Sequence, residues 1–431
     1  MSVGQDGVTG LSAGERINDA ARLLDLVRTG RTTTRRELSR HSGLGRKALS
    51  TLVAALVDRR LLAEEGPGGS TASRTPRELR FGSGAGTLLV AQFGATGLSA
   101  GIADLDGRIL RRHHEPHLIS AGPEAALARL EELFERLLDG LTAQAPPVWG
   151  VGVGLPGPVE FRMGRPVAPP IMPGWDGYPV RDRLAARFRA PAWVDNDVNV
   201  LALGELHSGV ARGEQDVVYV KIGTGIGAGL LTGGRLHRGA RGAAGDVGHI
   251  GVRSEKPVVC RCGRYDCLEA LAGGVALARE GAAAARDGSS LFLAARLDER
   301  GNIEARDVAD AAHAGDPVAI ALLTRSGQLV GEMLSTVVNF YNPTVIVLGG
   351  GVVAAGDLVL ATVRRTLYER SLPLATRDLR ILRSADGVNG LDIGLVGAAR
   401  MVADELFSTP ALARWLPVGS PAGRLELTDL T

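Results

Sequence analysis

Three cysteines within eight residues, Cys260, Cys262 and Cys267, constrain this chain most, because its 431 residues contain no other cysteine. His249 lies a short loop upstream, so the stretch offers three thiols and one imidazole. Soft thiolate and imidazole ligands favour zinc over magnesium or calcium, and four protein ligands leave no position for a reactive water. The four residues therefore predict a closed zinc site with a structural role.

Two other interpretations of the cysteines are weaker. Three unrelated free thiols would not be expected to cluster in a chain that has no others. A disulfide would leave one thiol over, and the N-terminus shows no apolar signal segment, since Gln5, Asp6, Glu15 and Arg16 interrupt it. We therefore expect the reducing cytoplasm, where disulfides are rare. We also expect no membrane association, because no run approaches the roughly 20 apolar residues that a membrane span needs.

Positive charge is concentrated in the first 80 residues, which contain 14 Arg and Lys against 9 Asp and Glu. The whole chain has a formal net charge of only +2. A basic segment of this kind is a candidate for contact with nucleic acid. Within it, residues 15–31 place apolar side chains on one helical face, and Gly30 ends the pattern.

A helix-turn-helix is predicted after this first helix. Leu38 anchors one short helix, Gly43 supplies the turn, and apolar residues recur at helical spacing in a second helix predicted to begin near Leu44. The first turns of such a second helix meet base edges and phosphates in a major groove, and Arg35 could contact backbone phosphates. The candidate DNA-binding residues are Arg35, Arg46, Lys47, Ser50 and Thr51.

Residues 63–81 are predicted to form two short strands around a glycine-rich turn, which is the wing of a winged helix. The expected domains are a winged helix-turn-helix over residues 1–66 and the end of the wing with a linker over residues 67–86. The alternative is a helical protein-docking module whose arginines only face solvent. The spacing, glycine turn, wing and positive charge agree with one another and favour DNA binding.

From Thr87 onward, strand-like and helical segments alternate. Two stretches, which begin near residues 87 and 216, each show a strand, a glycine turn, a second strand and a hairpin, and helical segments follow both. We predict an α/β fold of two related lobes over residues 87–405, with a ligand in the cleft between them. Residues 406–431 are expected to be a weakly structured C-terminal tail.

Glycine-rich turns in this region do not match nucleotide-binding loops. Gly152, Gly154 and Gly157 spell G-x-G-x-x-G, but Pro156 and Pro158 remove N–H donors that a dinucleotide would need. No Walker-type phosphate loop occurs. The glycine turn at 223–229 could instead bring backbone amides to an anion or pack beneath a ligand, and a hairpin without any ligand is the alternative.

Polar residues around the cleft indicate a polyhydroxylated ligand. Asn196 and Asp197 stand where a strand ends and a helix begins, and an aspartate there could accept a hydrogen bond from a hydroxyl or only cap the helix. With Asp246, His249 and Glu269, it supplies the carboxylates, amide and imidazole that suit a sugar. The zinc loop would hold Glu269 and the segment around His249 in place.

The motifs GDVGHI, CRCGRYDCLE, GLPG, DND and GTGIGAG resemble those of the ROK family of repressors, open reading frames and sugar kinases. The resemblance covers nearly all of residues 85–405, and the N-terminal winged helix is similar to the repressor branch. It implies a duplicated actin-like, hexokinase-like (ribonuclease H-like) fold, and it makes Asp197 the counterpart of the catalytic base if kinase activity is retained. By this resemblance zinc is bound by His249, Cys260, Cys262 and Cys267, and the sugar by Asn196, Asp197, Asp246, His249 and Glu269.

Departures from the family pattern help to separate a regulator from a kinase. The first phosphate motif of the kinases is D-x-G-x-T, and this chain has Gln92 in place of the aspartate. A neutral amide lacks the charge that helps to organise magnesium and nucleotide phosphates, so we expect neither ATP nor magnesium as cofactors. Asp246 replaces the usual glutamate and could alter which sugar fits. Asp266 replaces a glycine, with no consequence evident from the sequence.

These observations predict a sugar-responsive transcriptional regulator, a repressor that a monosaccharide or its derivative releases from a palindromic operator. The expected partners are operator DNA, the sugar effector and a second copy of the chain, as a homodimer or a dimer of dimers. Sugar binding would close the cleft and change the spacing of two winged helices. An ATP-dependent sugar kinase with a DNA-binding appendage and a regulator whose effector is a phosphotransfer protein are the alternatives.

Overall fold

The computed structural model describes residues 13–65, 78–141, 145–387 and 391–430. Within these ranges the chain forms an N-terminal group of helices with a two-stranded sheet, followed by two five-stranded sheets flanked by helices. The predicted mixed α/β architecture is confirmed. The glycine-rich turn of the predicted wing lies outside the described residues.

In residues 13–65 and 78–81 the N-terminal part forms three helices and two antiparallel strands: α1 (Ala13–Arg28), α2 (Arg35–Ser42), α3 (Arg46–Asp58), β1 (Leu62–Glu65) and β2 (Glu78–Phe81). The side chain of Thr34 caps α2 by accepting a hydrogen bond from the backbone N–H of Glu37. Gly43 ends α2 at a φ of 74°, in the left-handed region that favours glycine. The α3 helix begins at Arg46, slightly later than the position predicted near Leu44.

The first five-stranded sheet has the order β5-β4-β3-β6-β9. Its strands are β3 (Thr87–Phe93), β4 (Gly97–Ala103), β5 (Ile109–Pro116), β6 (Val148–Leu155) and β9 (Ala192–Asn196). The chain also forms α4 (Pro123–Asp139), the short strands β7 (Val159–Glu160) and β8 (Arg165–Pro166), and α5 (Val180–Phe188). The β3 strand pairs antiparallel with β4 and parallel with β6, and β4 pairs antiparallel with β5.

The second sheet repeats this plan in the order β12-β11-β10-β13-β14. Helix α6 (Asp197–Ser208) precedes this sheet along the chain, and the first strands of the sheet are β10 (Val217–Ile222), β11 (Ile226–Thr232) and β12 (Arg235–Leu236). The helices that follow are α7 (Leu268–Ala272), α8 (Gly274–Arg286), α9 (Leu291–Arg300), α10 (Ala305–His313) and α11 (Pro317–Tyr341). Next come β13 (Val345–Gly349), α12 (Gly351–Ala354), α13 (Asp357–Arg370), α14 (Pro373–Thr376) and β14 (Arg380–Arg383). As in the first sheet, the central strand pairs antiparallel with its hairpin partner and parallel with the strand after the helices.

A pair of helices joins the two sheets. Helix α15 (Ile393–Leu406) packs on β3 and β6, helix α6 packs on β10 and β11, and the two helices pack on each other. Glycines permit this close contact: a Cβ at Gly397 would lie 1.8 Å from the carbonyl oxygen of Val200. A Cβ at Gly152 of β6 would lie 2.7 Å from the carbonyl oxygen of Ala398 on α15, so this glycine of the G-x-G-x-x-G stretch serves helix packing.

The C-terminal residues are folded, and the prediction of a weakly structured tail is wrong. Helix α16 (Thr409–Trp415) packs on α1, and the indole N–H of Trp415 donates to the carbonyl of Leu406 at 2.8 Å. Trp415 is fully buried, with its ring against those of Trp149 and Phe407. Large aromatic side chains dominate such packing energetically, which outweighs the high proline and glycine content of this segment.

Among the described residues, no helix combines the length and apolar character that crossing a lipid bilayer requires.

Candidate functional site

The four predicted metal ligands lie together. The ligand atoms of His249, Cys260, Cys262 and Cys267 all fall within 4.8 Å of one another. The Sγ atoms of Cys262 and Cys267 are 3.7 Å apart, and His249 Nδ1 lies 3.6 Å from Cys260 Sγ. Sulfur atoms about 2.3 Å from one tetrahedral metal would be about 3.8 Å apart, so both the donor set and the spacing suit zinc.

The loop that carries these ligands depends on Asp266. Its φ of 56° lies in the left-handed region, which explains why the family pattern has glycine here. The carboxylate of Asp266 accepts hydrogen bonds from the N–H of Val258 and the hydroxyl of Ser254, both at 2.8 Å. The aspartate therefore ties together the two arms of the cysteine hairpin, a consequence that the sequence did not reveal.

The environments of the three thiols differ. Burial raises the pKa of Cys260 and of Cys267. Burial also acts to raise the pKa of Cys262, but hydrogen bonds from Arg264 and from the other two cysteines outweigh it and lower the pKa to about 7. A bound cation would stabilise all three as thiolates, the form that ligates metal.

Glu269 lies two residues after the last cysteine, in the first turn of α7. Its Oε2 accepts the backbone N–H of Ile226 at 3.2 Å, and its Oε1 accepts a hydrogen bond from Arg261 at 3.0 Å. A Cβ at Gly225 would lie 2.0 Å from Oε2, so only glycine leaves room for the carboxylate. The anion beside the 223–229 glycine turn is therefore a carboxylate of the protein itself.

Asn196 and Asp197 stand at the start of α6. The amide of Asn196 accepts the N–H of Val198 at 2.9 Å and donates to the carbonyl of Gly157 at 2.8 Å. Asn196 thus caps α6 and holds the GLPG loop. Asp197 is almost buried, and its Oδ2 lies 2.5 Å from Nζ of Lys221.

The segments that carry the candidate sugar ligands meet at the beginning of β11. Besides the contact of Ile226 with Glu269, a Cβ at Gly227 would lie 3.1 Å from Val198 on α6, and the N–H of Ala228 donates to Gly245 at 2.8 Å. The imidazole of His249 has its Nδ1 toward Cys260 and its Nε2 3.9 Å from Oδ1 of Asp246. One ring nitrogen thus faces the thiols and the other the half-exposed carboxylate.

Sequence reasoning missed the cations of this site. Lys221 pairs with Asp197, Arg261 pairs with Glu269, and Arg238 lies 2.6 Å from Asp195. Arg238 also lies over the ring of Phe161, 3.6 Å from its centre. One signal in the sequence could have indicated the Lys221 pair: a single lysine stands near the end of the apolar run VVYVKI. A buried charge without a partner is costly, so a lysine at this position predicts a nearby carboxylate.

Gln92 lies at the end of β3, beside a cavity of about 610 Å³. His113, His114, Asp386 and Asp392 also line this cavity, which none of the five candidate sugar ligands borders. A Cβ at Gly394 would overlap the carboxamide of Gln92, so this side chain packs against the start of α15.

The candidate DNA-binding residues divide into two groups. Arg46, Lys47, Ser50 and Thr51 are exposed on one face of α3, whose opposite face is buried. Arg35 is already engaged: its Nε donates to Glu64 Oε1 at 2.9 Å. Arg35 therefore braces α2 against β1 in this conformation.

Comparisons with known proteins agree with this architecture. The ROK family model matches residues 89–405. A glucokinase of Halalkalibacterium halodurans is 29% identical over 318 residues, which are 72% of this chain and 93% of that protein. A xylose repressor of Bacillus spizizenii is 26% identical over 381 residues, 88% of this chain and 94% of that protein.

The fold is similar to the crystal structure of a ROK family transcriptional regulator described as a homologue of the E. coli MLC protein. The TM-score is 0.80 at 24% sequence identity, and the match covers 94% of this chain and 100% of that one. Since the family model spans most of the sequence and includes the cysteine cluster and all five candidate sugar ligands, the chain belongs to the ROK family.

Proposed function

We propose that this protein is a DNA-binding transcriptional regulator, a repressor that a monosaccharide or sugar derivative releases from its operator. The observation that carries the proposal is the exposed polar and basic face of α3, placed ahead of a ROK domain in which Asp195, Asp197 and Glu269 are paired with cations. The N-terminal group then acts as a winged helix-turn-helix, with β1 and β2 as the strands of its wing.

The N-terminal geometry supports DNA binding. Leu49, Val53 and Leu56 fix one face of α3 in the core, which leaves Arg46 and Lys47 at the exposed start of the helix. The first turn of a recognition helix is the part that meets base edges and phosphates. The glucokinase match covers 72% of the chain and the xylose repressor match 88%, so the added N-terminal part is a feature shared with the repressor.

The cleft supports sugar binding. Asp197, Asp246 and Glu269 offer hydrogen-bond acceptors, and the cysteine hairpin leads directly into the helix that carries Glu269. A zinc ion held by His249, Cys260, Cys262 and Cys267 would fix this hairpin and thereby the positions of Glu269 and His249. The names of both relatives refer to sugars, a class that a carboxylate-lined cleft would recognise.

A contiguous path connects the cleft to the N-terminal helices. Asp197 is the first residue of α6, α6 packs on α15, and Asp404 near the end of α15 lies 3.0 Å from the guanidinium of Arg28 on α1. Any shift of α6 when the lobes close on a sugar would therefore reach α1 through packed helices. A coupling free energy of about 1–3 kcal/mol would change operator affinity about 5- to 150-fold.

We infer that the regulator acts as a homodimer or a dimer of dimers. Helix-turn-helix proteins bind paired half-sites through two-fold symmetric dimers, so a change in the spacing of two heads alters operator affinity.

A sugar kinase is the second candidate, because the chain resembles glucokinases over the whole ROK domain. Two features count against it. Gln92 replaces the acidic residue that would help to organise magnesium, and Lys221 occupies one oxygen of Asp197.

The test begins with DNA selected by the purified protein from a random duplex library. Fluorescence anisotropy then measures operator affinity with and without glucose, xylose, N-acetylglucosamine and their phosphates. We expect one sugar to weaken DNA binding at least about 5-fold. Absence of sequence-specific DNA binding, or sugar phosphorylation by ATP that disappears in Asp197→Asn, would contradict the proposal.

A further inference from the structure

We propose that Lys221 is a positioning residue, which holds the Asp197 carboxylate as a hydrogen-bond acceptor for a sugar hydroxyl and withdraws it from proton transfer. The proposal rests on the proposed sugar-binding function and adds a residue that decides what the cleft can do.

Lysine is rare in this protein. Only Lys47, Lys221 and Lys256 occur among 49 basic residues. Lys47 and Lys256 are exposed, whereas the side chain of Lys221 is only 25% exposed and lies on β10 between two buried neighbours, Val220 and Ile222. A charge in such a place is retained only when it is paired, and Asp197 supplies the pair.

The position of Lys221 follows from strand periodicity. Successive side chains of a strand alternate between faces, so Val217, Tyr219 and Lys221 share one face of β10. Val217 and Tyr219 belong to the core that includes residues of α6. The same face therefore carries the ammonium of Lys221 to the first residue of α6, where Asp197 is only 5% exposed.

The pair links the two sheets. Lys221 lies on β10 of the second sheet, and Asp197 directly follows β9 of the first sheet. With Oδ2 held at 2.5 Å by Lys221, the carboxylate has a fixed orientation, and Oδ1 is the oxygen that would accept a hydrogen bond from a sugar hydroxyl. Preorganisation of this kind favours binding, since little side-chain freedom is lost when the ligand arrives.

The same contact opposes general-base chemistry. A base that removes a hydroxyl proton becomes neutral, which would leave the ammonium of Lys221 without its counter-ion in a largely enclosed site. Pairing is also a wider feature of the cleft, because Asp195 and Glu269 are held by Arg238 and Arg261. The three paired carboxylates therefore suit an uncharged polyol better than a second cation.

The test is a double-mutant cycle on the full-length, zinc-loaded protein. Calorimetry measures the affinity for D-glucose and D-xylose in the unmodified protein, Lys221→Met, Asp197→Asn and the double variant. Lys256→Met is the matched control, because it removes the same charge from an exposed position. Lys221→Arg retains the cation, and the unfolding temperature of each variant is recorded.

We expect Lys221→Met to weaken binding of the recognised sugar about 10-fold. The double variant should bind within about 2-fold of Asp197→Asn, since the two residues act as a unit. Lys221→Arg should recover most of the affinity, and Lys256→Met should equal the unmodified protein. A purely structural role would lower the unfolding temperature without this non-additivity in sugar affinity.

Two results would overturn the proposal. One is sugar affinity in Lys221→Met equal to that of the unmodified protein, or effects of the two substitutions that simply multiply. The other is phosphorylation of the bound sugar by ATP that depends on Asp197. Failure of the unmodified protein to bind any sugar would instead refute the proposed effector function, and the claim for Lys221 with it.

Discussion

The guanidinium of Arg28 lies 3.0 Å from the carboxylate of Asp404, which joins the first helix of the N-terminal group to the end of the helix that packs against α6. The arginine side chain is only 6% exposed, and two of its buried nitrogens, Nε and Nη1, have no hydrogen-bond partner. Buried donors without partners are costly, so this contact is poorly satisfied in the conformation described.

Arg28→Met should therefore uncouple the two functions of the protein. We expect DNA affinity and sugar affinity each to remain within about 3-fold, while the sugar-induced loss of DNA binding shrinks to less than about half of its free energy. Anisotropy titrations at several sugar concentrations measure this coupling. Arg16→Met, an exposed change on the same helix, is the control. Unaltered coupling in Arg28→Met would exclude this route.

Arg46→Ala and Lys47→Ala should weaken operator binding. Each removes one positive charge from the exposed start of α3, and we expect a loss of about 5- to 50-fold per substitution. Sugar affinity, measured by calorimetry, should not change, because both residues lie outside the cleft. Arg300→Ala, a half-exposed arginine on α9, serves as the control. DNA affinities equal to that of the unmodified protein would refute the predicted docking.

Cys262→Ser should abolish the metal site and loosen the cleft. Loss of one thiolate ligand removes metal-binding free energy that is also folding free energy, so zinc content, unfolding temperature and sugar affinity should fall together. Atomic emission spectroscopy measures the zinc. Asp266→Gly is a milder variant of the same loop. Glycine tolerates the positive φ, but the hydrogen bonds to Ser254 and Val258 are lost, so this variant should retain zinc with reduced stability. Unchanged zinc in Cys262→Ser would disprove the assignment.

Trp415→Ala should destabilise the protein by about 3–5 kcal/mol, the usual cost of truncating a large buried aromatic side chain. The indole packs on Trp149 and Phe407 and donates a hydrogen bond to Leu406. Chemical denaturation of both proteins at the same protein concentration measures the difference in their free energies of unfolding. Val418→Ala, at a position that is 57% exposed in the same segment, should change stability little. A free energy of unfolding that changes as little in Trp415→Ala as in Val418→Ala would mean that the packing of Trp415 contributes little to stability.

Glu405→Gln should make stability less dependent on pH. Burial raises the pKa of Glu405 to about 7, a rise that Arg238 partly offsets and that Asp404 and Asp195 increase. The folded state therefore holds the proton more tightly than the unfolded state, so the free energy of unfolding falls as the pH rises from about 4.5 to about 7 and stays low above it.

At pH 8 the neutral glutamine avoids this cost, and the variant should be more stable than the unmodified protein by about 1–3 kcal/mol. The advantage should shrink as the pH falls toward 5. Thermal unfolding of both proteins across this range checks the sign. A variant that is less stable at pH 8 would show that the carboxylate makes a favourable contact when ionised.

The sequence sufficed where the relevant residues are close along the chain. The cysteine cluster lies within one hairpin, the turn at Gly43 lies between two short helices, and the strand openings near residues 87 and 216 have local hydrophobic patterns. Local spacing determines secondary structure and brings the ligands of one loop together. These features required no knowledge of how distant segments meet.

The tertiary structure alone decided the partners of charged groups and the fate of the C-terminal segment. Lys221 and Asp197 are 24 residues apart, Arg238 and Asp195 are 43 apart, and Arg28 and Asp404 are 376 apart. The burial of Trp415 depends likewise on Trp149, which comes from the other half of the chain. A charge or an aromatic ring gains its energy from whatever surrounds it in space, and periodicity along one segment carries no information about those neighbours.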